Sequence, residues 1–336
     1  MSVRGQTVPV SVAPMMDVTD RHTRWLYRRL SRHTLLYTEM VTAHALHHGD
    51  VQRLLSFDDM EHPVALQLGG DDAAMLSRSA QLGVDFGYDE INLNIGCPSP
   101  RVQKGNFGAC LMTSPQVVAD AVSAMRAAVS VPITVKCRIG VDDRDSYEDL
   151  LNFAKIVCEA GADRLSVHAR KAWLNGLSPK QNRNVPPLRY DDVYRLTQED
   201  LGVAIEINGG VLTLDDVQTH LEQVDAVMIG RGVWHNPWML ADVDRRFFGS
   251  EAPMVDRRAV ADALIVYAET QIALGHKAQH VLRHAGPLFH GLPGAKGWKQ
   301  AIANVGKGGT RLLVGALERI DAAAVRQAAW EQRAAL

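Results

Sequence analysis

Glu90-Ile-Asn-Leu-Asn-Ile-Gly-Cys-Pro-Ser-Pro-Arg-Val-Gln-Lys-Gly-Asn-Phe-Gly-Ala109 turns from strand to loop within a few residues. Ile91, Leu93 and Ile95 alternate with Asn92 and Asn94, the period of a β-strand, and Gly96 with Pro98 forbids its continuation. Cys97 is therefore expected at the end of a buried strand, facing a site. A free cysteine more often packs as a small hydrophobe, so the thiol alone does not decide for chemistry.

The pattern recurs along the chain. Short apolar runs end in polar or glycine groups from Val10 to Met15, Leu35 to Val41, Val64 to Gly70, Ile91 to Cys97, Ile133 to Gly140, Leu165 to Arg170, Ala204 to Gly210 and Ala226 to Gly232. Helical periodicity lies between most of them, as in Ala73 to Leu82, Pro115 to Val129, Ser146 to Ala160 and Leu214 to Gln223. Eight alternations read as an α/β fold, a parallel (β/α)8 TIM barrel, whose active site lies at the carboxyl ends of the strands. A doubly wound sheet would show a glycine fingerprint after its first strand, and Ala13-Pro14-Met15-Met16-Asp17 is no such turn.

A chain of 336 residues, 46% hydrophobic and 22% charged, buries a full core and exceeds what the barrel needs, about 250 residues. The barrel is expected over residues 1–245. The rhythm breaks from Arg245 to Met254, and a small all-α domain is expected over 256–336, where Val260, Leu264, Tyr267 and Ala268 share one helix face. Met1 to Val12 has no basic segment leading into an apolar core, and no apolar run approaches the ~18 residues of a membrane span. These features predict a soluble, cytoplasmic protein with no membrane partner, and a monomer is expected.

Cys97, Cys110, Cys137 and Cys158 form no CxxC pair, which argues against a zinc site and a disulfide framework. His276, His280 and His284 at i, i+4, i+8 would line one helix face, but no carboxylate or cysteine lies nearby, so no metal is expected. Charge is unevenly spread behind a net −2. No acid occurs between Glu269 and Glu318, where Lys277, Arg283, Lys296, Lys299, Lys307 and Arg311 fall. None occurs between Asp163 and Asp191, where Arg164, Arg170, Lys171, Lys180, Arg183 and Arg189 fall. Two basic surfaces facing one site suggest a polyanionic substrate; two solvated faces depleted of acids by chance would look the same.

Asn208-Gly209-Gly210 closes the seventh expected strand and Gly230-Arg231-Gly232 the eighth, where barrels often hold phosphate. Glycine lets backbone N–H groups approach the oxygens, and Arg231 adds a bidentate cation, so a phosphorylated cofactor is implied. No G-x-G-x-x-G follows any strand, which excludes a dedicated nicotinamide domain.

Ala13-Pro-Met-Met-Asp-Val-Thr-Asp20, Gln67-Leu-Gly-Gly70, Asn92-Leu-Asn-Ile-Gly-Cys-Pro-Ser-Pro100, Val135-Lys-Cys-Arg-Ile-Gly140, His168-Ala-Arg-Lys171 and Asn208-Gly-Gly210 together resemble the tRNA-dihydrouridine synthases over essentially the whole chain. Asp20-Arg-His-Thr-Arg24, Leu36-Tyr-Thr-Glu-Met-Val41, the loop Leu177 to Arg183 with Pro186-Pro187, and Leu288 to Ala295 resemble the A-type bacterial branch, which acts on D-loop nucleotides 20 and 20a. The resemblance implies an FMN-binding barrel, a helical tRNA-binding domain and NADPH as reductant. It places Pro14, Met15, Met16 and Gln67 at the flavin ring, with Lys136 near both ring and target base. His168 would contact the cofactor, and Asn208, Gly209, Gly210, Gly230 and Arg231 would hold its phosphate.

Reduction of uracil C5=C6 needs a hydride at C6 and a proton at C5, with negative charge building toward O4. The resemblance assigns the hydride to flavin and the proton to Cys97. Lys136 and Arg138 would stabilise the enolate, and Asn94 would read the uracil edge. Lys180, Arg183, Lys296 and Lys299 would hold tRNA, whose target base leaves its stack. Two other classes compete. A flavin barrel acting on a free pyrimidine, of dihydroorotate-dehydrogenase type, would not explain the acid-free helical segment, and a noncatalytic RNA-binding module would need neither Cys97 nor a phosphate site.

Overall fold

The computed structural model describes residues 8–334. Nine parallel strands occur in it: β1 (Val10–Val12), β2 (Leu35–Tyr37), β3 (Val41–Thr42), β4 (Val64–Gly69), β5 (Glu90–Asn94), β6 (Ile133–Arg138), β7 (Arg164–His168), β8 (Ala204–Asn208) and β9 (Ala226–Ile229). Strands β1, β2 and β4 to β9 pair in a ring that closes where Ser11 meets both Leu35 of β2 and Met228 of β9. This is the expected (β/α)8 barrel. The second expected strand, 35–41, differs in being interrupted. Thr38 accepts the Gln67 N–H on its side-chain oxygen at 3.0 Å, so the backbone leaves the ladder and resumes as the two-residue β3, which lies along the end of β4.

The helices between strands start on side-chain caps. Ser146 and Asp149 form a reciprocal capping box for Tyr147–Glu159, and Thr213 with Asp216 does so for Leu214–Leu221; each such cap is worth roughly 0.5–2 kcal/mol. Gly83, in the helix Ala73–Asp85, lets that helix lie close on the sheet. A Cβ there would stand 2.6 Å from Ile91 Cδ1 and 2.8 Å from Leu66 Cδ2. Ile91 and Leu66 therefore face outward onto helices, and their neighbours Glu90, Asn92 and Gln67 face the barrel interior.

That interior has two halves. Ala13, Leu35, Tyr37, Ala65 and Met228 form an apolar cluster contributed by β1, β2, β4 and β9, with Met15 packed against it. Strands β5 to β8 contribute buried polar groups instead: Glu90, Asn92, Asn94, Thr134, Arg138, Arg164, Ser166, Glu206 and Asn208. Barrels are commonly filled by layers of branched apolar residues. Here half of the filling is a hydrogen-bonded polar network.

The chain divides into two compact units. The barrel unit runs through Thr19 and from His33 to Gly230. The other comprises Asp20 to Arg32 and everything from Arg231 onward, so contacts divide the chain at Gly230 while the sequence pattern breaks near 245. In the second unit the helix Arg21–Leu30, which follows β1 in sequence, joins the C-terminal helices. Trp25 stacks on Tyr267 with ring centroids 4.0 Å apart, His22 Nδ1 lies 2.8 Å from the Tyr267 hydroxyl, and Arg283 pairs with Asp20 at 2.8 Å. Farther along, fully buried Trp298 donates its Nε1 proton to the Ala285 carbonyl at 3.0 Å and meets Phe289 edge-on.

His276, His280 and His284 do not share one helix: the helix there is only Ala278–Leu282, and Gly275 at φ +94° turns the chain before it. His276 instead meets the His22 ring at 5.3 Å, and His284 accepts from Trp234 Nε1 at 3.1 Å. Among the described residues no helix is long and apolar enough to cross a membrane, and no cluster of His, Cys, Asp or Glu could hold a metal.

Candidate active site

The carboxyl ends of the barrel strands bring together Gln67 of β4, Asn94 and Cys97 from β5, Lys136 and Arg138 of β6, His168 of β7 and Asn208 of β8. Pro14, Met15 and Met16 leave β1 at the same end, and Met16 is exposed. Parallel pairing sets Asn94 opposite Lys136, Arg138 opposite His168, and His168 opposite Asn208.

One side-chain oxygen organises the half formed by β6, β7 and β8. Asn208 Nδ2 donates to the Met228 carbonyl at 2.8 Å, which leaves Oδ1 as the acceptor. Lys136 Nζ donates to Oδ1 at 3.0 Å, and His168 Nδ1 stands 2.8 Å from the same atom. An acceptor on that side requires the His168 proton to be on Nδ1. Nε2 is then a bare acceptor, and it is buried with no hydrogen-bond partner. A buried imidazole nitrogen of this kind calls for a donor from a bound molecule.

Burial and the cations of Arg138 and Lys136 hold His168 well below the ordinary histidine pKa of 6.5, so the ring is neutral. Lys136 is brought down to about 8 by burial and by Arg138, which keeps it a cation at neutral pH yet close to releasing its proton. Arg138 itself comes down to about 10 through burial. Its Nε donates to the Gly96 carbonyl at 2.8 Å, and its NH1 to the carbonyls of Lys171 and Asn182 at 3.0 and 3.1 Å. Arg138 thus clamps the backbone just before Cys97 to the loop after β7.

Cys97 is half-buried, and its backbone is gripped from three sides. Asn94 Oδ1 accepts the N–H groups of Gly96 and Cys97 at 3.2 and 3.0 Å. The Cys97 carbonyl accepts from Ala109 N at 3.0 Å, and Gly108, at φ +78°, permits that approach because a Cβ would fall 2.6 Å from the Cys97 oxygen. Between these points Ser99 caps the short helix Pro100–Lys104.

Gly209 at φ +116° and Gly210 at φ +78° follow β8 in backbone conformations that side chains rarely adopt. A Cβ on Gly209 would press on the His168 ring, and one on Gly210 would collide with the Tyr190 hydroxyl. Gly230 ends the barrel unit, and Arg231 begins the helix Arg231–His235 of the other. Lys180 and Arg183 are exposed on the loop after β7, beside the single turn Gln181–Arg183. Lys296 and Lys299 are exposed in the second unit, one turn apart on the helix Ala295–Gly308 and astride buried Trp298.

The basic stretch 163–191 is less of a surface than its composition suggests. Arg164 lies inside the barrel against Glu90, Lys171 pairs with Asp145 at 3.0 Å, and Arg189 pairs with Asp145 and Asp192. Acids distant in sequence, or just beyond the stretch, neutralise these three cations. The sequence reading also passed over Thr38, Glu90, Thr134 and Glu206. For Glu90, Thr134 and Glu206 the signal was present as polar residues in step with Asn92, Asn94, Lys136 and Asn208 on the same strand faces.

The sequence model of the dihydrouridine synthase (Dus) family matches residues 11–328. A tRNA-dihydrouridine(20/20a) synthase of Synechocystis is 53% identical, covering 92% of this chain and 94% of that protein. The protein of that name from Vibrio parahaemolyticus is 50% identical, covering 91% and 94%, and the one from Escherichia coli O6:H1 is 51% identical, covering 90% and 92%. Among solved structures, a 2-naphthoyl-CoA reductase complex is similar in fold, with a TM-score of 0.54 at 10% identity, covering 70% of this chain and 50% of that one.

Proposed function

This chain belongs to the dihydrouridine synthase family, and from that membership we propose that it reduces the C5=C6 bond of D-loop uridines 20 and 20a of tRNA, with FMN as cofactor and NADPH as reductant. The observation that carries the reading is the meeting of Cys97, Lys136 and the unpartnered His168 Nε2 at one barrel mouth.

The residues suit FMN. Pro14, Met15 and Met16 offer an apolar edge for the ring, continuous through Met15 with the apolar half of the barrel. Gln67 would bond the polar edge of the ring, and cationic Lys136 suits its negative charge when reduced. His168 Nε2, an acceptor, would take a hydroxyl of the ribityl chain. Gly209, Gly210, Gly230 and Arg231 would hold the phosphate, with Asn208 fixing Lys136 and His168 behind them. When bound, FMN reduced by NADPH supplies the hydride that adds at uracil C6.

The chain's own groups complete the reaction. Cys97 donates the proton at C5, on the end of a strand whose turn is held by Asn94 and Arg138. Lys136 stabilises charge developing toward O4, and Arg138 adds to the field while holding the loop. Asn94, whose oxygen is engaged by the Cys97 turn, has an N–H to offer the uracil edge. Residues 1–245 are assigned to cofactor and catalysis and 256–336 to tRNA binding, with Lys180, Arg183, Lys296 and Lys299 as phosphate contacts; the protein works as a cytoplasmic monomer. A visible spectrum of the purified protein together with turnover on transcript tRNA and on free uridine tests the reading. Flavin absorbance with turnover on tRNA alone supports it, and turnover on a free pyrimidine would replace it with the small-molecule oxidoreductase.

A further inference from the structure

We propose that Glu90, at the floor of the barrel, positions Cys97 through a one-directional hydrogen-bond relay that runs by way of Thr134, Asn92, Gln67 and Asn94. The inference rests on the functional reading above for its consequence, not for its geometry.

The relay is continuous. Thr134 Oγ1 donates to Glu90 Oε1 at 2.6 Å, and Asn92 Nδ2 donates to Thr134 Oγ1 at 2.8 Å. Gln67 Nε2 donates to Asn92 Oδ1 at 2.8 Å, and Asn94 Nδ2 to Gln67 Oε1 at 2.8 Å. Asn94 Oδ1 then receives the N–H groups of Gly96 and Cys97. Glu90, Thr134, Asn92, Gln67 and Asn94 are all buried, so water does not replace a lost link cheaply.

Both ends dictate the same direction. At the floor, Glu90 accepts from Arg164 NH2 through both oxygens at 2.7 Å and from the Tyr37 hydroxyl at 2.7 Å. Thr134 has one hydroxyl proton, which Glu90 takes, so toward Asn92 it can only accept. That turns the NH2 of Asn92 toward Thr134 and its oxygen toward Gln67, and the same reasoning orients Gln67 and then Asn94. At the far end the Gly96 and Cys97 N–H groups can only donate, and they meet the Asn94 oxygen that the floor has turned toward them. Reversing any one amide would set two donors or two acceptors face to face in a buried site. Within the relay Gln67 keeps one Nε2 proton free of Asn92 to donate to a ligand.

Glu90, Thr134 and Asn92 are accordingly positioning residues. The test uses the holoenzyme with Thr134→Val, which keeps the shape and removes the hydroxyl, and Thr134→Ser, which restores it. Three readouts are followed: kcat and KM on tRNA, the rate of Cys97 alkylation by iodoacetamide measured on its own peptide, and the visible flavin spectrum. Thr134→Val is expected to lower kcat about ten- to a hundredfold, the scale of small misplacements of reacting groups. KM for tRNA should hold, while the alkylation rate changes and the flavin bands shift; Thr134→Ser should return all three toward wild type. Wild-type kcat and alkylation in Thr134→Val would overturn the relay, as would equal losses in the Val and Ser variants.

Side-chain amide NMR of the wild-type protein keeps the proposal testable if Thr134→Val does not fold. The Asn92 NH2 protons should show contacts to the Thr134 methyl, and contacts to the Gln67 side chain in their place would overturn it. If wild type forms no dihydrouridine at all, the functional reading fails, while alkylation and NMR still decide the relay.

Discussion

The His168 Nδ1 proton is directed at the Asn208 side-chain oxygen, 2.8 Å away, and that single contact decides which ring nitrogen is left as an acceptor. The same oxygen takes Lys136 Nζ at 3.0 Å. One amide therefore sets both the tautomer of a neutral histidine and the place of a cation, and its own orientation is set by the Met228 carbonyl.

A pH dependence follows from this arrangement. The Lys136 cation is present below its folded pKa of about 8 and is lost as pH rises through it. In the free enzyme kcat/KM for tRNA should thus fall on the alkaline side with an apparent pKa near that value. Asn208→Asp sets a carboxylate beside Lys136, holds its proton longer and should move the limb to higher pH. His168, held below its ordinary 6.5 by burial, contributes stability that is full above that pH and is lost as pH falls below it. His168→Asn should flatten acid unfolding. Profiles of rate and of melting temperature against pH check both, and a limb unmoved in Asn208→Asp would contradict the Lys136 assignment.

Cys97→Ala is expected to keep bound flavin and its reduction by NADPH while dihydrouridine formation falls roughly 10²- to 10⁴-fold, the usual loss on removing a general acid. Single-turnover reduction and oxidation, followed separately, distinguish this from loss of the cofactor. Near-normal oxidation by tRNA would remove Cys97 from the proton-donor role.

Gly210→Ala should reduce the FMN content of the purified protein. The residue sits at φ +78°, where an added Cβ also collides with the Tyr190 hydroxyl, so the turn must move. Strain at such a position costs about 1–3 kcal/mol. Arg231→Ala should weaken FMN but leave riboflavin unaffected, because the charge-assisted phosphate contact it removes is worth roughly 1.5–3 kcal/mol. Titration of the two flavins into apoprotein measures the difference.

Charge reversal at Lys296 and Lys299 should weaken tRNA binding and flatten its salt dependence, by about 0.9 in the logarithmic slope for each lost phosphate contact. Oxidation of NADPH without tRNA should not change. Binding across a salt series for wild type and the double variant gives the slopes directly, and equal slopes would take this helix out of the tRNA surface. Lys180 and Arg183 are expected to act in the same direction from the barrel loop.

Much of this was written locally. Period-two runs ending in polar tails announced the barrel strands, because backbone alternation and glycine or proline stops act within a few residues. The break near Cys97 was legible for the same reason, as were the glycines after β8, whose φ values admit little else. The second strand was read as longer than it is, since the Thr38 hydroxyl that interrupts it does so by meeting the Gln67 N–H from another strand.

By itself, then, the sequence determined the order of elements, the barrel class, the family motifs and which residues share a strand face. Only the tertiary structure decided which face turns inward, because both faces of a parallel strand are buried and alternation alone does not separate lumen from helix layer. Register between neighbouring strands brought Lys136 and His168 onto one oxygen of Asn208 and aligned the chain of amides from Glu90 to Cys97. Folding also sent the helix after β1 to the C-terminal unit, where Trp25 stacks on Tyr267. It paired Arg164 with Glu90, and both Lys171 and Arg189 with Asp145, acids that a local count of charge does not include. Such pairings join residues far apart in the chain, and local periodicity holds no information about them.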